Sequence, residues 1–320
     1  MGTINLSSLV NLPLLSFFFS TVLGIFGIKF TCNAVIKKII TYSVLVLIGL
    51  KGGIALPQNF SNSSGPFFSI LFFLSLWGFL QPVLSFFVLK RVTALELPTI
   101  AVIGACFGSV SMITFITGIA FLENLDIYYQ KITIPILAIM EFPAIISGIY
   151  LAKRVLKSKL SIGKTIFHSV VNLATLSILF GLVMGVLLGF LGVSTFSQAS
   201  TSIFNVLVAL FLFDLGGGIS TGFKNKFSFS VFAFGCYMPL LSALVGLFVS
   251  YFLQLDIGTA TLVVLLCASA SYIAVPAAMR LILPQADERV YLPLSLGVAF
   301  PFNVVLGIPL YYYCASKLLG

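Results

Sequence analysis

The stretch from Gly104 to Thr114 reads GACFGSVSMIT and places two glycines and three hydroxyl side chains inside a long apolar segment. A second stretch, Ala268 to Pro276, reads ASASYIAVP and places two serines, a tyrosine and a proline inside another. Unwound backbone at membrane depth is tolerated only where protein buries it or where it lines a watery cavity. We therefore predict helix breaks at Gly108 and Pro276. Close helix packing by small residues is the alternative explanation for any single serine.

The composition of the whole chain is that of a membrane protein. Of its 320 residues, 60% are apolar and 8% are charged, and the mean hydropathy is +1.18, whereas a soluble domain carries about 25% charged residues. Because a membrane-spanning helix needs about 20 apolar residues, the apolar runs predict ten spans, at 11–28, 38–56, 67–89, 97–120, 131–152, 171–192, 200–218, 228–253, 258–280 and 291–316. The short connections leave no room for a soluble catalytic domain, and no catalytic triad, P-loop or metal motif is present. We predict a protein that is not an enzyme and has no cofactor.

Basic residues concentrate in alternate loops. Fourteen of the 17 follow predicted spans one, three, five, seven and nine, and the exceptions are Lys51, Lys131 and Lys317. Since Lys and Arg retain loops in the cytoplasm, these five loops are predicted to be cytoplasmic and both termini to lie outside. The uncharged segment from Pro57 to Pro66 is then predicted to be an outside loop. The net charge of +9 reflects membrane topology rather than nucleic-acid binding, and the expected location is the cell (inner) membrane.

The two halves of the chain resemble each other at an offset of about 160 residues. The matched segments are Lys51-Gly52-Gly53 with Gly216-Gly217-Gly218, Gly108 to Ser111 with Ala268 to Ser271, and Phe142-Pro143 with Phe300-Pro301, at offsets of 165, 160 and 158. Each half holds five predicted spans, an odd number, so the second half enters the membrane from the opposite side. Such inverted repeats are typical of secondary transporters, whose sites lie where helices are interrupted.

The repeat predicts the architecture. We expect an all-α polytopic membrane protein with ten transmembrane helices in two inverted five-helix repeats, and with broken helices four and nine crossing near the midplane. Residues 1–155 would form the first repeat, 156–170 a basic cytoplasmic linker and 171–320 the second repeat.

Two polar residues within the spans predict a site for a cation. Glu141 is the acid that lies most clearly inside a span, and an ionisable group in hydrocarbon is costly enough to be a functional hypothesis. Its alternative role is a structural hydrogen bond to a neighbouring broken helix. Asn303, two residues after Pro301, would add an oxygen from the second half. We predict that Glu141 and Asn303 serve cation coupling.

At these segments the chain resembles the SbtA-type sodium-dependent bicarbonate transporter family. The resemblance covers nearly the whole chain and is most specific at Leu50–Gly53, Phe107–Ser111, Met140–Ile145 and Ala268–Arg280. It implies a gate domain, a core domain that moves like an elevator, and a bicarbonate site between the broken helices with sodium beside it. On that pattern the substrate-binding residues are Gly108, Ser109, Ser111, Thr114, Ser269, Ser271 and Tyr272.

The resulting hypothesis is a secondary active transporter that uses the inward sodium gradient to import bicarbonate or a similarly small anion. A sodium- or proton-coupled transporter of an organic carboxylate stays open, and so does a passive channel or membrane sensor. The expected partners are the anion, sodium as coupling ion and the lipid bilayer, with homo-oligomerisation left open and no nucleic acid. The resemblance also implies a PII-like regulator, although the connection from Lys153 to Lys164 is shorter than the insertion of cyanobacterial members.

Overall fold

The structure is a computed structural model that describes residues 12–28, 33–156, 173–193, 198–222 and 228–320. Within these ranges the chain is helical and contains no β-strand. The predicted linker, 156–170, lies outside the described residues except for Leu156. The same holds for several basic residues that support the predicted topology, namely Lys29, Lys157, Lys159, Lys164, Lys224 and Lys226.

Twelve helices can be numbered along the described ranges. They are α1 (Leu12–Ile25), α2 (Ala34–Val92), α3 (Leu97–Phe107), α4 (Met112–Asn124), α5 (Thr133–Ile139), α6 (Glu141–Leu156), α7 (Leu173–Phe190), α8 (Gln198–Gly222), α9 (Phe229–Phe252), α10 (Ile257–Ala268), α11 (Ala274–Ile282) and α12 (Glu288–Leu319). The last of these contains two π-helical segments, Pro293–Ala299 and Asn303–Gly307.

Five helical segments are long and apolar enough to cross a membrane. They are Pro66–Val92, Leu97–Asn124, Thr133–Leu156, Phe229–Phe252 and Glu288–Leu319. Shorter apolar helices occur at Leu15–Ile25, Leu179–Phe190, Ser202–Asp214 and Ile257–Ala268. Several segments of this kind make the protein a multi-pass membrane protein.

The prediction that Pro57–Pro66 forms a loop is wrong, because α2 stays helical through this segment. Serine and asparagine are only modestly poor helix formers, and an interior proline removes one hydrogen bond and kinks a helix without always ending it. The helix nevertheless cannot run straight. Gly52 packs on Ile134 and Gly78 packs on Pro143, yet 26 residues of straight α-helix separate the two glycines by about 39 Å and nine separate their partners by about 14 Å. The bend must lie between Gly52 and Gly78, where Pro57 and Pro66 occur.

The first half of α2 packs closely with α7 and α8. A Cβ atom on Gly53 would lie 2.7 Å from the Val186 nitrogen and 2.8 Å from the Gly185 Cα, so glycine is needed on both helices for this approach. Lys37 of α2 forms an ion pair of 2.6 Å with Asp214 of α8. On the other side of α8, Gly216 packs against α1. These contacts hold α1, the first half of α2, α7 and α8 together as one group, called here the scaffold helices.

The remaining helices form the core helices: the second half of α2, α3 to α6 and α9 to α12. Their buried apolar side chains belong to two clusters, one of which also includes side chains of the scaffold helices such as Phe17 and Phe204. Phe107, Ala270 and Val275 belong to one cluster, and Val110 and Tyr272 belong to the other. The segments that follow α3 and α10 therefore lie where the two clusters meet, away from water.

Equivalent threonines make equivalent contacts in the two halves of the core helices. The Oγ1 of Thr259, the third residue of α10, accepts a hydrogen bond from the Gln130 nitrogen at 2.8 Å. The Oγ1 of Thr99, the third residue of α3, accepts one from the Asp287 nitrogen at 2.9 Å. The two threonines are 160 residues apart, which is the offset of the predicted repeat. Each bond ties the loop after one broken helix to the start of the other.

Candidate functional site

The first break lies between α3 and α4, at the position predicted from the sequence. Gly108 caps α3 by donating its N–H to the Gly104 carbonyl oxygen at 3.0 Å, and Ser109 to Ser111 are not helical. Glycine is required at position 108 because α2 passes very close: an added Cβ would lie 2.5 Å from Pro82 Cδ. The first break is therefore in van der Waals contact with Pro82 of α2.

Ser111 starts α4 as its N-cap residue. Its Oγ accepts hydrogen bonds from the Thr114 nitrogen at 3.3 Å and from the Thr114 hydroxyl at 2.9 Å. Such a cap satisfies one of the four N–H groups that have no partner within the helix. Ser111 and Thr114, both predicted site residues, are thus bonded to each other and fully buried.

The second break lies between α10 and α11 and spans Ser269 to Ile273. It precedes Pro276, so the prediction of a break at Pro276 is corrected by a few residues. Pro276 is the third residue of α11, where a missing N–H costs nothing because the first-turn N–H groups have no helical acceptor. The Ser271 Oγ accepts a long hydrogen bond of 3.4 Å from the nitrogen of Val275, the second residue of this helix.

The two breaks are in direct contact. The Ser111 nitrogen donates to the Ser269 Oγ at 2.9 Å, and the Ser271 nitrogen donates to the Cys106 carbonyl oxygen at 2.8 Å. The N-terminal ends of α4 and α11 and the C-terminal ends of α3 and α10 therefore meet in one small region. Helix N-termini carry partial positive charge and C-termini partial negative charge, so the region offers adjacent places for an anion and a cation.

Three buried oxygen atoms at or near the breaks have no hydrogen-bond partner among the described residues. They are the Ser109 Oγ, the Tyr272 hydroxyl and the Glu141 Oε2. Tyr272 lies beside Ser111 without a hydrogen bond of normal geometry. An unsatisfied buried polar group costs about 1–3 kcal/mol, so groups of this kind at the meeting point of four helix ends are suited to a polar ligand.

Glu141 begins α6 and is 6% exposed. A one-residue interruption at Met140 separates α6 from α5, and Pro143 accounts for it because proline has no N–H for the Ile139 carbonyl four residues earlier. The Cβ position of Gly78 on α2 lies 3.2 Å from Pro143 Cβ and 3.3 Å from the Gly108 carbonyl oxygen. Glu141 thus lies on a helix that is next to the first break, with Gly78 of α2 in contact with both.

The sequence profile of the Na+-dependent bicarbonate transporter superfamily matches residues 13–316, nearly the whole chain. The chain belongs to this superfamily. Comparison with curated proteins gives no match. Membership makes the protein a membrane transporter and not an enzyme, and it confirms the resemblance derived from the sequence.

In this superfamily member, Asn303 forms a hydrogen bond with the helix end at the second break. Its Nδ2 donates to the carbonyl oxygen of Ala268, the last residue of α10, at 3.0 Å. Its Oδ1 accepts a hydrogen bond of 2.8 Å from the Tyr311 hydroxyl. The side chain is completely buried. Asn303 therefore fixes the end of α10, and Tyr311 in turn fixes the orientation of the amide.

Several residues of the candidate site cannot be recognised in the sequence. Cys106 contributes only its backbone carbonyl, and Tyr311 is eight residues from Asn303 on a helix whose π-helical turns change which residues share a face. The Phe300 ring lies 5.8 Å from that of Tyr272 and 5.1 Å from that of Phe17 on α1, between centroids. The sequence shows Phe300 as part of the predicted repeat, but it does not show that Phe300 contacts the scaffold helices.

Proposed function

We propose that this transporter imports bicarbonate, or a similarly small monovalent anion, together with sodium. The observation that carries the proposal is the contact of two helix breaks, with the Ser111 nitrogen bonded to the Ser269 Oγ. Opposite helix ends meet there in a buried region, which favours binding of an anion and a cation side by side. Binding of both ions together leaves the net charge of the site unchanged, whereas binding of either ion alone changes it by one, so the two ions would be carried together across the apolar barrier.

The anion would be held by the hydroxyls and N–H groups of the breaks, contributed by Gly108, Ser109, Ser111, Thr114, Ser269, Ser271 and Tyr272. The N-termini of α4 and α11 supply positive dipole ends, and the Ser109 and Tyr272 hydroxyls are available as donors. Because the breaks approach to hydrogen-bond distance, the space between them favours a small anion over an organic carboxylate. The site contains no Lys or Arg, which also favours a single negative charge.

Sodium would be coordinated by oxygen atoms on the other side of the same region. The carbonyl ends of α3 and α10 provide such oxygens, as unwound segments do in transporters of this architecture. Glu141 would contribute a carboxylate, and Asn303 would hold the Ala268 carbonyl in place. No metal other than the transported sodium is part of the proposal.

The proposed topology is ten spans in two inverted repeats, 1–155 and 171–320, joined by a cytoplasmic linker, in the cell (inner) membrane with both termini outside. The paired threonine contacts at an offset of 160 residues support the repeat. A further hydrogen bond supports it: the Gln81 Nε2 of α2 donates to the Ser242 Oγ of α9 at 2.8 Å, and the two residues are 161 positions apart in the chain. In the elevator-like movement that we propose, the core helices would slide along the scaffold helices.

The test is uptake of labelled bicarbonate by proteoliposomes with an imposed inward sodium gradient. We expect accumulation above the external concentration, which disappears when an ionophore collapses the gradient. Absence of gradient-dependent uptake would refute the proposal. Competition by organic carboxylates identifies the alternative cargo, and uptake that never exceeds the external concentration identifies a passive channel.

A further inference from the structure

Lys51 is a charged side chain that the proposed binding site does not use. It is one of three basic residues outside the loops predicted to be cytoplasmic, so topology does not explain it. It lies 14 residues after Lys37 on α2, or about 21 Å along the helix. With Lys37 at the cytoplasmic boundary of a hydrocarbon layer about 30 Å thick, Lys51 lies in the outer part of that layer.

The neighbours of Lys51 do not neutralise its charge. The side chain is half-buried, and the ion pairs within the described residues are Lys37 with Asp214 and Arg280 with Glu288, neither of which involves it. Its Nζ lies 5.7 Å from the centroid of the Phe204 ring on α8, and the charges that act on it are those of Glu123 and Lys131, with opposite signs. A cation at this depth without an ion-pair partner is costly and is by default a functional residue.

Glu123 is engaged by another residue. It accepts a hydrogen bond of 2.8 Å from the Tyr129 hydroxyl in the loop after α4. Burial, and then the Glu123 carboxylate itself, raise the pKa of the Tyr129 phenol above its ordinary value. Tyr129 therefore remains a hydrogen-bond donor to Glu123 at neutral pH, and the Glu123 carboxylate acts on Lys51 without forming an ion pair with it.

Lys51 lies at the seam between the scaffold helices and the core helices. The next residue, Gly52, packs on the start of α5, where its Cβ position is 3.4 Å from Ile134 Cγ2 and 3.6 Å from Pro135 Cα. Phe204, beneath the ammonium group, belongs to the scaffold helices. This seam is the boundary that has to shift if the core helices move.

We propose that Lys51 attracts the anion to the outer mouth of this seam and so sets the apparent affinity for uptake. The proposal rests on the proposed function, namely anion import. The breaks offer only partial charges from helix ends, whereas Lys51 offers a full positive charge on the route from outside. A fixed charge in a cleft with low-dielectric walls raises the local concentration of the opposite ion by about tenfold or more.

The first test compares uptake kinetics of Lys51→Gln, Lys51→Arg and the control Lys131→Gln, which removes an exposed charge on the same side. We expect Lys51→Gln to raise the apparent KM by about tenfold with the maximal rate nearly unchanged, and Lys51→Arg to restore it. Raising the ionic strength should weaken uptake by the wild type more than by Lys51→Gln, because salt screens a long-range attraction. A lysine that only anchors α2 at the interface would leave KM and its salt dependence unchanged, and this result would overturn the proposal.

The second test does not need transport. A Lys51→Cys variant in intact cells is treated with a membrane-impermeant, negatively charged thiol reagent, with the unsubstituted chain as control for the native cysteines. We expect modification from outside that exceeds the reaction of the unsubstituted chain. No reaction would overturn the proposal, because Lys51 would then face no aqueous mouth. If the wild type takes up no bicarbonate but Lys51→Cys is modified, the proposed function is refuted, whereas the accessibility of residue 51 from outside is confirmed.

Discussion

Replacing Gly108 with alanine should weaken anion binding although it adds only one methyl group. The new Cβ would lie 2.5 Å from Pro82 Cδ, whereas carbon atoms pack at about 3.5–4.0 Å. The break must therefore move about 1 Å away from α2. A displacement of that size would stretch the hydrogen bond between the Ser111 nitrogen and the Ser269 Oγ, now 2.9 Å, beyond the hydrogen-bonding range.

The expected cost follows from these two effects. Overpacking costs about 1–3 kcal/mol, and an unpaired buried N–H of Ser111 costs about as much again. The overpacking lowers the stability of the protein, while the unpaired N–H acts at the site itself. Since about 1.4 kcal/mol corresponds to a factor of ten, a cost of about 1 kcal/mol or more for this N–H should lower the apparent affinity for the anion at least about fivefold. The assay is concentration-dependent uptake in proteoliposomes, with thermal unfolding in detergent to follow stability.

A second substitution tests the cause. Pro82→Ala removes the ring atoms that meet the new Cβ, so the double variant Gly108→Ala with Pro82→Ala should regain affinity. The recovery should be partial, because the Gly78 carbonyl oxygen remains 3.2 Å from the added Cβ. Unchanged uptake by Gly108→Ala, or no recovery in the double variant, would refute the reasoning.

Three further outcomes are expected. Ser269→Ala should weaken anion uptake, because the Ser111 N–H loses its acceptor at a cost of about 1–3 kcal/mol; Ser250→Ala, which removes a hydroxyl bonded within its own helix, is the control and should leave the KM unchanged. Glu141→Gln should shift the sodium titration of uptake to higher concentration, and an identical titration would indicate a structural role. Gly185→Val should lower the thermal stability of the detergent-solubilised protein by several degrees, because its Cβ would lie 2.9 Å from the Gly53 Cα; Gly217→Ala, whose Cβ meets open space, should not.

Errors in the sequence-based predictions have local physical causes. Pro57 and Pro66 look like loop boundaries, but a helix can continue through a proline when neighbouring turns keep their bonds, as α2 does. Pro276 looks like a break, but it lies just after the break, in the first turn of a helix where proline is well tolerated. Proline thus indicated the approximate positions of the irregular segments. The exact residue at which a helix ends depends on which backbone N–H groups have acceptors.

The sequence by itself determined the membrane character, the position of the first break and the hydroxyl residues around both breaks. Each of these depends on residue type and on spacing along the chain, because preference for lipid over water is a property of single side chains. Only the tertiary structure decided which groups pair: Ser111 with Ser269, Asn303 with Ala268 and Tyr311, and Lys51 with no ion-pair partner among the described residues. Ser111 and Ser269 are 158 residues apart, and their contact depends on how whole helices pack, which local periodicity does not encode.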